Sequence, residues 1–283
     1  MLDLRIKEYL SLVGIHRIIE LDKALIETFG QGEGDRHVEK LEELFEQSEK
    51  RLVHGTGDTP YLRRQEELVN YLNQSLQMSL LAASFYDCVF FRRVMEYLLR
   101  QEAFFEGDIF DIGCGNGILT CFLALQHPDS LVTGIELSPN AVSVAEELAE
   151  RLQVSNVRFI GSETVRQKKC DTLFSCRTVH ENVAWRPLCE ESKRMVLSVE
   201  EQTKLYEEYA KELSVLVKSG RYLVSVERYE DDSAYTSLIR ALEHWGFRQM
   251  RGTSMQFSCK NGDETAAFQA MVYQKIEENE KIS

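Results

Sequence analysis

Several things are missing from this chain of 283 residues, and each absence closes off a class of function. No apolar run is long enough to cross a bilayer, which takes roughly 20 residues. The opening MLDLRIKEYL interleaves acids with bases and has no small-residue cleavage site, so no secretory leader is expected and the chain reads as cytoplasmic. The seven cysteines, at 88, 114, 121, 170, 176, 189 and 259, include no C-x-x-C pair. Neither a disulfide framework nor a zinc ribbon is therefore expected, and the thiols read as reduced core residues. There is no basic surplus either. The net charge is −13, with −6 up to residue 106 and −7 beyond it. A protein that holds a polyanion usually shows a basic face, so nucleic acid is not an expected partner. The acids Glu230-Asp231-Asp232 have no second cluster at ligand spacing, and no metal site is expected.

What is present centres on Ile109–Thr120, IFDIGCGNGILT. A short apolar run reaches Asp111, glycines follow at 113, 115 and 117, and Ile118–Gln126 resumes as an apolar helix. Strand, tight turn and helix is the arrangement that brings a ligand against bare backbone and unpaired helix N–H groups. The spacing is G-x-G-x-G rather than the dinucleotide G-x-G-x-x-G, and an acid stands two residues before the first glycine. A pyrophosphate gains nothing from that acid, whereas a cationic ligand does. A second strand, Leu131–Ile135, ends at Glu136, about 20 residues past the glycines, where an acid can accept both hydroxyls of a ribose. Ser138 and Pro139 then open a helix.

Asp111-Ile112-Gly113-Cys114-Gly115-Asn116-Gly117 resembles the first motif of the class I S-adenosylmethionine-dependent methyltransferases, and Glu136 stands where that family binds ribose. The resemblance covers about Ile109 to Tyr273. It implies an α/β fold: a doubly wound, mostly parallel seven-stranded sheet closed by an antiparallel C-terminal hairpin. It implies S-adenosylmethionine as cofactor, held by Asp111, Gly113, Cys114, Gly115, Asn116, Gly117, Glu136, Leu137 and Cys176. Tyr86 is a further contact at the pocket edge, and Ser162 and Glu163 are rivals for the adenine amino group, because the usual Gly-Asp after the third strand is here Gly-Ser.

The fourth strand, Cys170–Cys176, exits into Arg177-Thr178-Val179-His180-Glu181-Asn182, similar to the Leu-His-His of related enzymes. Histidine can serve as a base near neutral pH, so His180 is the catalytic candidate for an oxygen acceptor. Glu181 could orient it or bind a cationic substrate. Packing in the first turn of a helix is the competing role for both. The (D/N/S)-P-P-(Y/F) motif of nucleic-acid and protein amino-methyltransferases is absent, which argues against amide or exocyclic-amine targets.

Ahead of this region the pattern is helical, and residues 1–80 form an all-helical lobe expected to cover the pocket, with 81–283 as the cofactor-binding domain. A helical stripe runs from Leu10 to Phe29, a break is expected at Gly30–Gly34, and further helices are expected over about His37–Val53, Tyr61–Ser79 and Leu80–Arg100. The function expected is methyl transfer to a small-molecule acceptor at O, N or C. The rivals are a non-catalytic cofactor-binding protein that recruits a partner and an NAD-dependent oxidoreductase. Oligomeric state is not legible in the sequence.

Overall fold

A computed structural model describes residues 2–54, 61–162, 168–179, 199–229, 232–261 and 264–276. Six helices come first: α1 Leu2–Val13, α2 Leu21–Phe29, α3 Gln31–His54, α4 Tyr61–Leu72, α5 Leu76–Tyr86 and α6 Cys88–Arg100. The sheet is then laid down as β1 Ile109–Ile112, β2 Val132–Glu136, β3 Val157–Gly161, β4 Cys170–Cys176, β5 Val217–Tyr229, β6 Phe247–Gln249, β7 Met255–Asn261 and β8 Glu264–Lys275. Helices α7 Ile118–Gln126, α8 Pro139–Arg151, α9 Val199–Leu216 and α10 Asp232–His244 connect the strands.

The strand order is β3-β2-β1-β4-β5-β8-β6, with β7 also paired to β8. The first five strands are parallel, and β8 runs antiparallel to β5, β6 and β7. From β1 the chain winds outward one way to β3 and the other way from β4, so the order reverses between β1 and β4. In open α/β sheets the crevice beyond the carboxyl ends at such a reversal is where ligands bind. This is the doubly wound sheet expected from the sequence, with its sixth strand divided in two. β6 ends at Gln249 and β7 starts at Met255, with Thr253 in the gap between them. Its hydroxyl donates to the Met250 carbonyl at 2.8 Å and accepts from Val272 N–H at 3.1 Å, so a side chain replaces one rung of the ladder.

The helical part differs from expectation in its boundaries. The Leu10–Phe29 stripe is two helices, because α1 ends at Gly14 (φ +90°), where the N–H groups of Gly14 and Ile15 both return to the Leu10 carbonyl. The break expected at Gly30–Gly34 is confined to Gly30 (φ +83°); Gly32 and Gly34 lie inside α3. The two expected helices over Tyr61–Arg100 are three: residues 73–75 separate α4 from α5, with Ser75 capping α5 through Met78 N–H, and Asp87 separates α5 from α6.

The core has three parts. One lies between the sheet and α1, α6, α7 and α8, and includes Ile6, Leu10, Val94, Phe122 and Leu148. A second lies on the opposite face, under α9 and α10, with Leu173, Leu213 and Leu242. A third holds Leu25, Leu41, Leu44, Leu68, Met78 and Leu81 from α2–α5. Helix α5 is apolar or small almost all round, and a helix of that kind must be covered on every side. Residues 76 and 78–84 are all buried: Leu76, Leu80 and Ala83 pack into the sheet-side core, while Met78 and Leu81 pack into the helical one.

The two glycines in α3 are opposite cases. A Cβ on Gly34 would lie 2.5 Å from the Ile26 Cα and 2.8 Å from its N, so this glycine permits the close crossing of α2 and α3, whereas a Cβ on Gly32 would meet nothing within 4 Å. Gly34→Ala should destabilise the protein by about 1–3 kcal/mol, because overpacking against backbone outweighs the gain in helix propensity of about 1 kcal/mol. Gly32→Ala should stabilise it by about 0.5–1 kcal/mol. Urea unfolding of both variants checks the pair, and equal effects would show that the crossing is not limited by Gly34.

Candidate active site

The loop after β1 and the exit of β4 face each other at the reversal point and line a cavity of about 260 Å³. Asp111, Gly113, Cys114, Gly115, Asn116, Cys176 and Arg177 form its sheet side. The opposite wall comes from the N-terminal helices and their linkers, through Leu72, Asn73, Ser79, Ala82, Ala83, Tyr86, Asp87, Phe90 and Phe91. The glycines have different tasks. A Cβ on Gly113 would lie 2.4 Å from Thr178 Cγ2, and one on Gly117 would lie 2.7 Å from Ala145 Cβ, so both are needed for packing. At Gly115 (φ +54°) a Cβ would meet nothing within 4 Å. That space lies open beside bare backbone, on the side where a ligand would come.

Asp111 is 2 % exposed, and Thr120 Oγ1 donates to its Oδ2 at 2.6 Å. Burial first, and then the charge of Glu136, raise its carboxyl from 3.8 to about 7, although the Thr120 bond opposes the shift. Thr120 is its one hydrogen-bond donor among the described residues, and the buried carboxyl lines the cavity. Such a group suits a cation. A ligand with an ammonium and a sulfonium and no phosphate, as in S-adenosylmethionine, therefore fits the residues present. The thiols beside it are held in the neutral form: burial raises Cys114, and burial followed by the Glu227 charge raises Cys176, well above the ordinary thiol range.

Glu136 ends β2 and ties the site together from below. Its Oε2 accepts from Gly115 N–H at 2.9 Å, and its Oε1 accepts from Leu137 N–H at 2.7 Å and Ser138 N–H at 3.0 Å. A carboxylate has about four acceptor positions, so one remains for a hydroxyl. Ser138 caps α8 by accepting from Ala141 N–H, as the sequence suggested. Leu137 is 57 % exposed and does not line the cavity, and Ser162 is exposed at the end of β3. Glu163, His180 and Glu181 lie outside the described residues. The structure thus brings Tyr86, Asp111, Gly113, Cys114, Gly115, Asn116 and Cys176 to one cavity, with Glu136 and Gly117 supporting its loop.

Sequence reasoning missed the residues that fasten the helices to this loop. Asn116 Nδ2 donates to Ser79 Oγ at 3.0 Å, and Ser79 Oγ donates to Asn73 Oδ1 at 3.0 Å. Ser138 Oγ donates to Asn70 Oδ1 at 3.0 Å. Arg177, a non-glycine residue at φ +61°, pairs with Asp87 at 2.7 Å and places its guanidinium 5.0 Å from the Phe90 ring centroid. Under the β4 exit, buried Glu227 accepts from Ser175 Oγ at 2.6 Å and from Val179 N–H at 3.1 Å, while Tyr209 hydrogen-bonds Ser175 and Thr178. This network fixes the residue that precedes His180. The one local signal was Arg177, unusual at a strand exit.

The raised carboxyl of Asp111 fixes two pH dependences. Between about 4 and 7 the folded carboxyl keeps a proton that the unfolded chain has released, so stability falls as pH rises through this window and is level above it. A cationic ligand favours the ionised form, so its binding releases that proton. S-adenosylmethionine affinity should rise by up to about tenfold per unit as pH goes from 5.5 to 7 and level off above, as measured by titration calorimetry. Asp111→Asn should bind at least about tenfold more weakly at pH 8 and lose the slope. A wild-type affinity independent of pH would show that the carboxyl does not meet the cation.

Residues 105–245 match the family described as "Methyltransferase domain". The release factor glutamine methyltransferase of Vibrio cholerae is 39 % identical over 67 residues, 24 % of this chain and 23 % of that protein. The malonyl-[acyl-carrier protein] O-methyltransferase of Acetivibrio thermocellus is 40 % identical over 52 residues, 18 % of this chain and 17 % of that protein. The chain therefore matches less than a quarter of the length of these curated relatives. Among solved structures, a methyltransferase from Methanosarcina mazei is 15 % identical with a TM-score of 0.45, covering 63 % of this chain and 98 % of its own. The family match displaces the nicotinamide-dependent oxidoreductase reading. The glycine loop, the strand order and the matched domain agree: residues 105–245 are a methyltransferase domain of the class I, S-adenosylmethionine-dependent type.

Proposed function

We propose that this protein transfers a methyl group from S-adenosylmethionine to a small organic acceptor, at O, N or C. The observation that carries the reading is the buried Asp111 carboxyl set in a cavity beside the open backbone of Gly115. Asp111 receives the cationic end of the cofactor and Glu136 a sugar hydroxyl, with Gly113, Cys114, Gly115 and Asn116 along the backbone between them. When bound, the cofactor supplies an electrophilic methyl on a good leaving group. What remains for the protein is alignment and the exclusion of water. The apolar wall of Ala82, Ala83, Phe90 and Phe91 serves the second task. For a hydroxyl acceptor, the imidazole of His180 takes the proton as the new carbon–oxygen bond forms, and Glu181 orients that ring.

Three features support a small acceptor. The helical wall of the cavity carries the aromatic side chains Tyr86, Phe90 and Phe91, the chain carries a net charge of −13, and no (D/N/S)-P-P-(Y/F) motif follows β4. Two relatives are named for acceptors held on proteins, so the decisive comparison is between small and protein-borne acceptors. We further propose that the 1–80 lobe covers the pocket and sets the acceptor, that the 81–283 region binds the cofactor, and that the protein works in the cytoplasm.

Incubation of the protein with methyl-labelled S-adenosylmethionine and a cell extract, followed by size separation, should place the label in the small-molecule fraction. Label confined to protein would replace the small acceptor with a protein one, and no label in either fraction would favour the non-catalytic reading. Gly115→Val should abolish cofactor binding, since its side chain fills the open space, and retained binding would move the site elsewhere. His180→Ala should lower turnover by roughly 10²-fold for a hydroxyl acceptor. An unchanged rate would leave it a packing role.

A further inference from the structure

A second and larger cavity, of about 730 Å³, lies in the helical part between α2, α3 and α5. Its size falls within the range of small-ligand sites, roughly 300–1,000 Å³. The floor is apolar, built from Leu25, Leu41, Phe45 and Phe85 among others. The rim is acidic: Glu20, Asp22, Glu27 and Glu42 line it and are exposed, against Lys23 as the one cation in the lining among the described residues. None of those four carboxylates has an ion-pair partner among the described residues. Tyr86 belongs to the walls of both cavities, with its ring 5.8 Å from Phe45 and 4.8 Å from Phe85. Tyr86 is therefore common to this groove and the cofactor cavity, which places the two side by side. Burial, and then the charges of Asp22 and Asp87, raise its hydroxyl to about 12, which places one acid from each side within reach of the ring.

We infer that this groove is the acceptor site and that its ligand is an amphipathic organic cation, with an apolar body against Leu25, Leu41 and Phe45 and a positive head at Asp22 and Glu42. Its role as acceptor site rests on the methyltransferase reading proposed above. A single exposed ion pair changes affinity only severalfold, so the preference for a cation comes from the carboxylates acting together and weakens with salt. An apolar floor of this volume suits a small molecule, and a basic amphipathic peptide is the competing occupant.

The test uses three probes of equal chain length, octyltrimethylammonium, 1-octanol and octanoate, titrated into the full chain and into an Asp22→Asn/Glu42→Gln variant. Both substitutions are on exposed side chains, and a thermal unfolding scan is run alongside to check that the variant folds. The expected result is that the cation binds at least about tenfold tighter than octanoate to the wild type, that the difference shrinks at 0.5 M salt, and that it falls to about twofold in the variant. Equal binding of the three probes, or an undiminished preference in the variant, overturns the inference. So does a lysine–leucine amphipathic peptide that binds where octyltrimethylammonium does not. S-adenosylhomocysteine, titrated separately, reads the cofactor site and should bind both proteins equally. Its failure to bind either would sink the methyltransferase reading and the role of the groove as acceptor site, while the probe series still decides the preference for a cation.

Discussion

Burial of α5 between two cores is the constraint on which the arrangement depends. Each buried Leu or Met side chain contributes about 1.5–3 kcal/mol, and α5 supplies Leu76, Met78, Leu80 and Leu81 to two different cores. The polar contacts of the same region, Asn116 to Ser79 and Asn70 to Ser138, are worth about 1 kcal/mol each. Apolar burial therefore decides that the helices dock on the sheet, and the hydrogen bonds decide where. The glycine loop acquires a helical wall of fixed register as a result, and the cavity is a product of that docking rather than of the sheet alone.

The electrostatics follow from the same geometry. Covering the loop removes water from Asp111 and leaves a carboxyl that a cation would stabilise. Glu136 is held differently, by three backbone N–H groups from the loop and the start of α8. Two acids one strand apart thus have separate tasks. One carries the charge chemistry of the pocket, and the other fixes the shape of its edge while keeping one position free.

Much of this was legible because it is local. The run from Ile109 to Ser138 writes strand, turn, helix and acid into consecutive residues, and the structure has those elements within a residue or two. The helical part was harder to read because its boundaries depend on tertiary contacts. Gly34 reads as a breaker, yet it is helical so that Ile26 can approach. The pairing of Arg177 with Asp87 joins residues 90 apart, and the tie between Ser79 and Asn116 joins residues 37 apart; no periodicity reports such pairs. The larger groove was invisible for the same reason, since its acids look like solvated helix faces until α2, α3 and α5 are brought together.

The divided sixth strand limits what one margin of the sheet offers to another strand. A long, straight, unpaired strand is a template on which another chain can add. Here β6 offers three residues, β7 is offset by residues 250–254 and backed by α6 through Phe90 and Phe257, and β3 at the far side has five. Among the described residues, the β6–β7 margin therefore presents no continuous ladder of free backbone groups. The interruption at Thr253 thus shortens the template that this margin offers to another strand, and a net charge of −13 adds repulsion between copies.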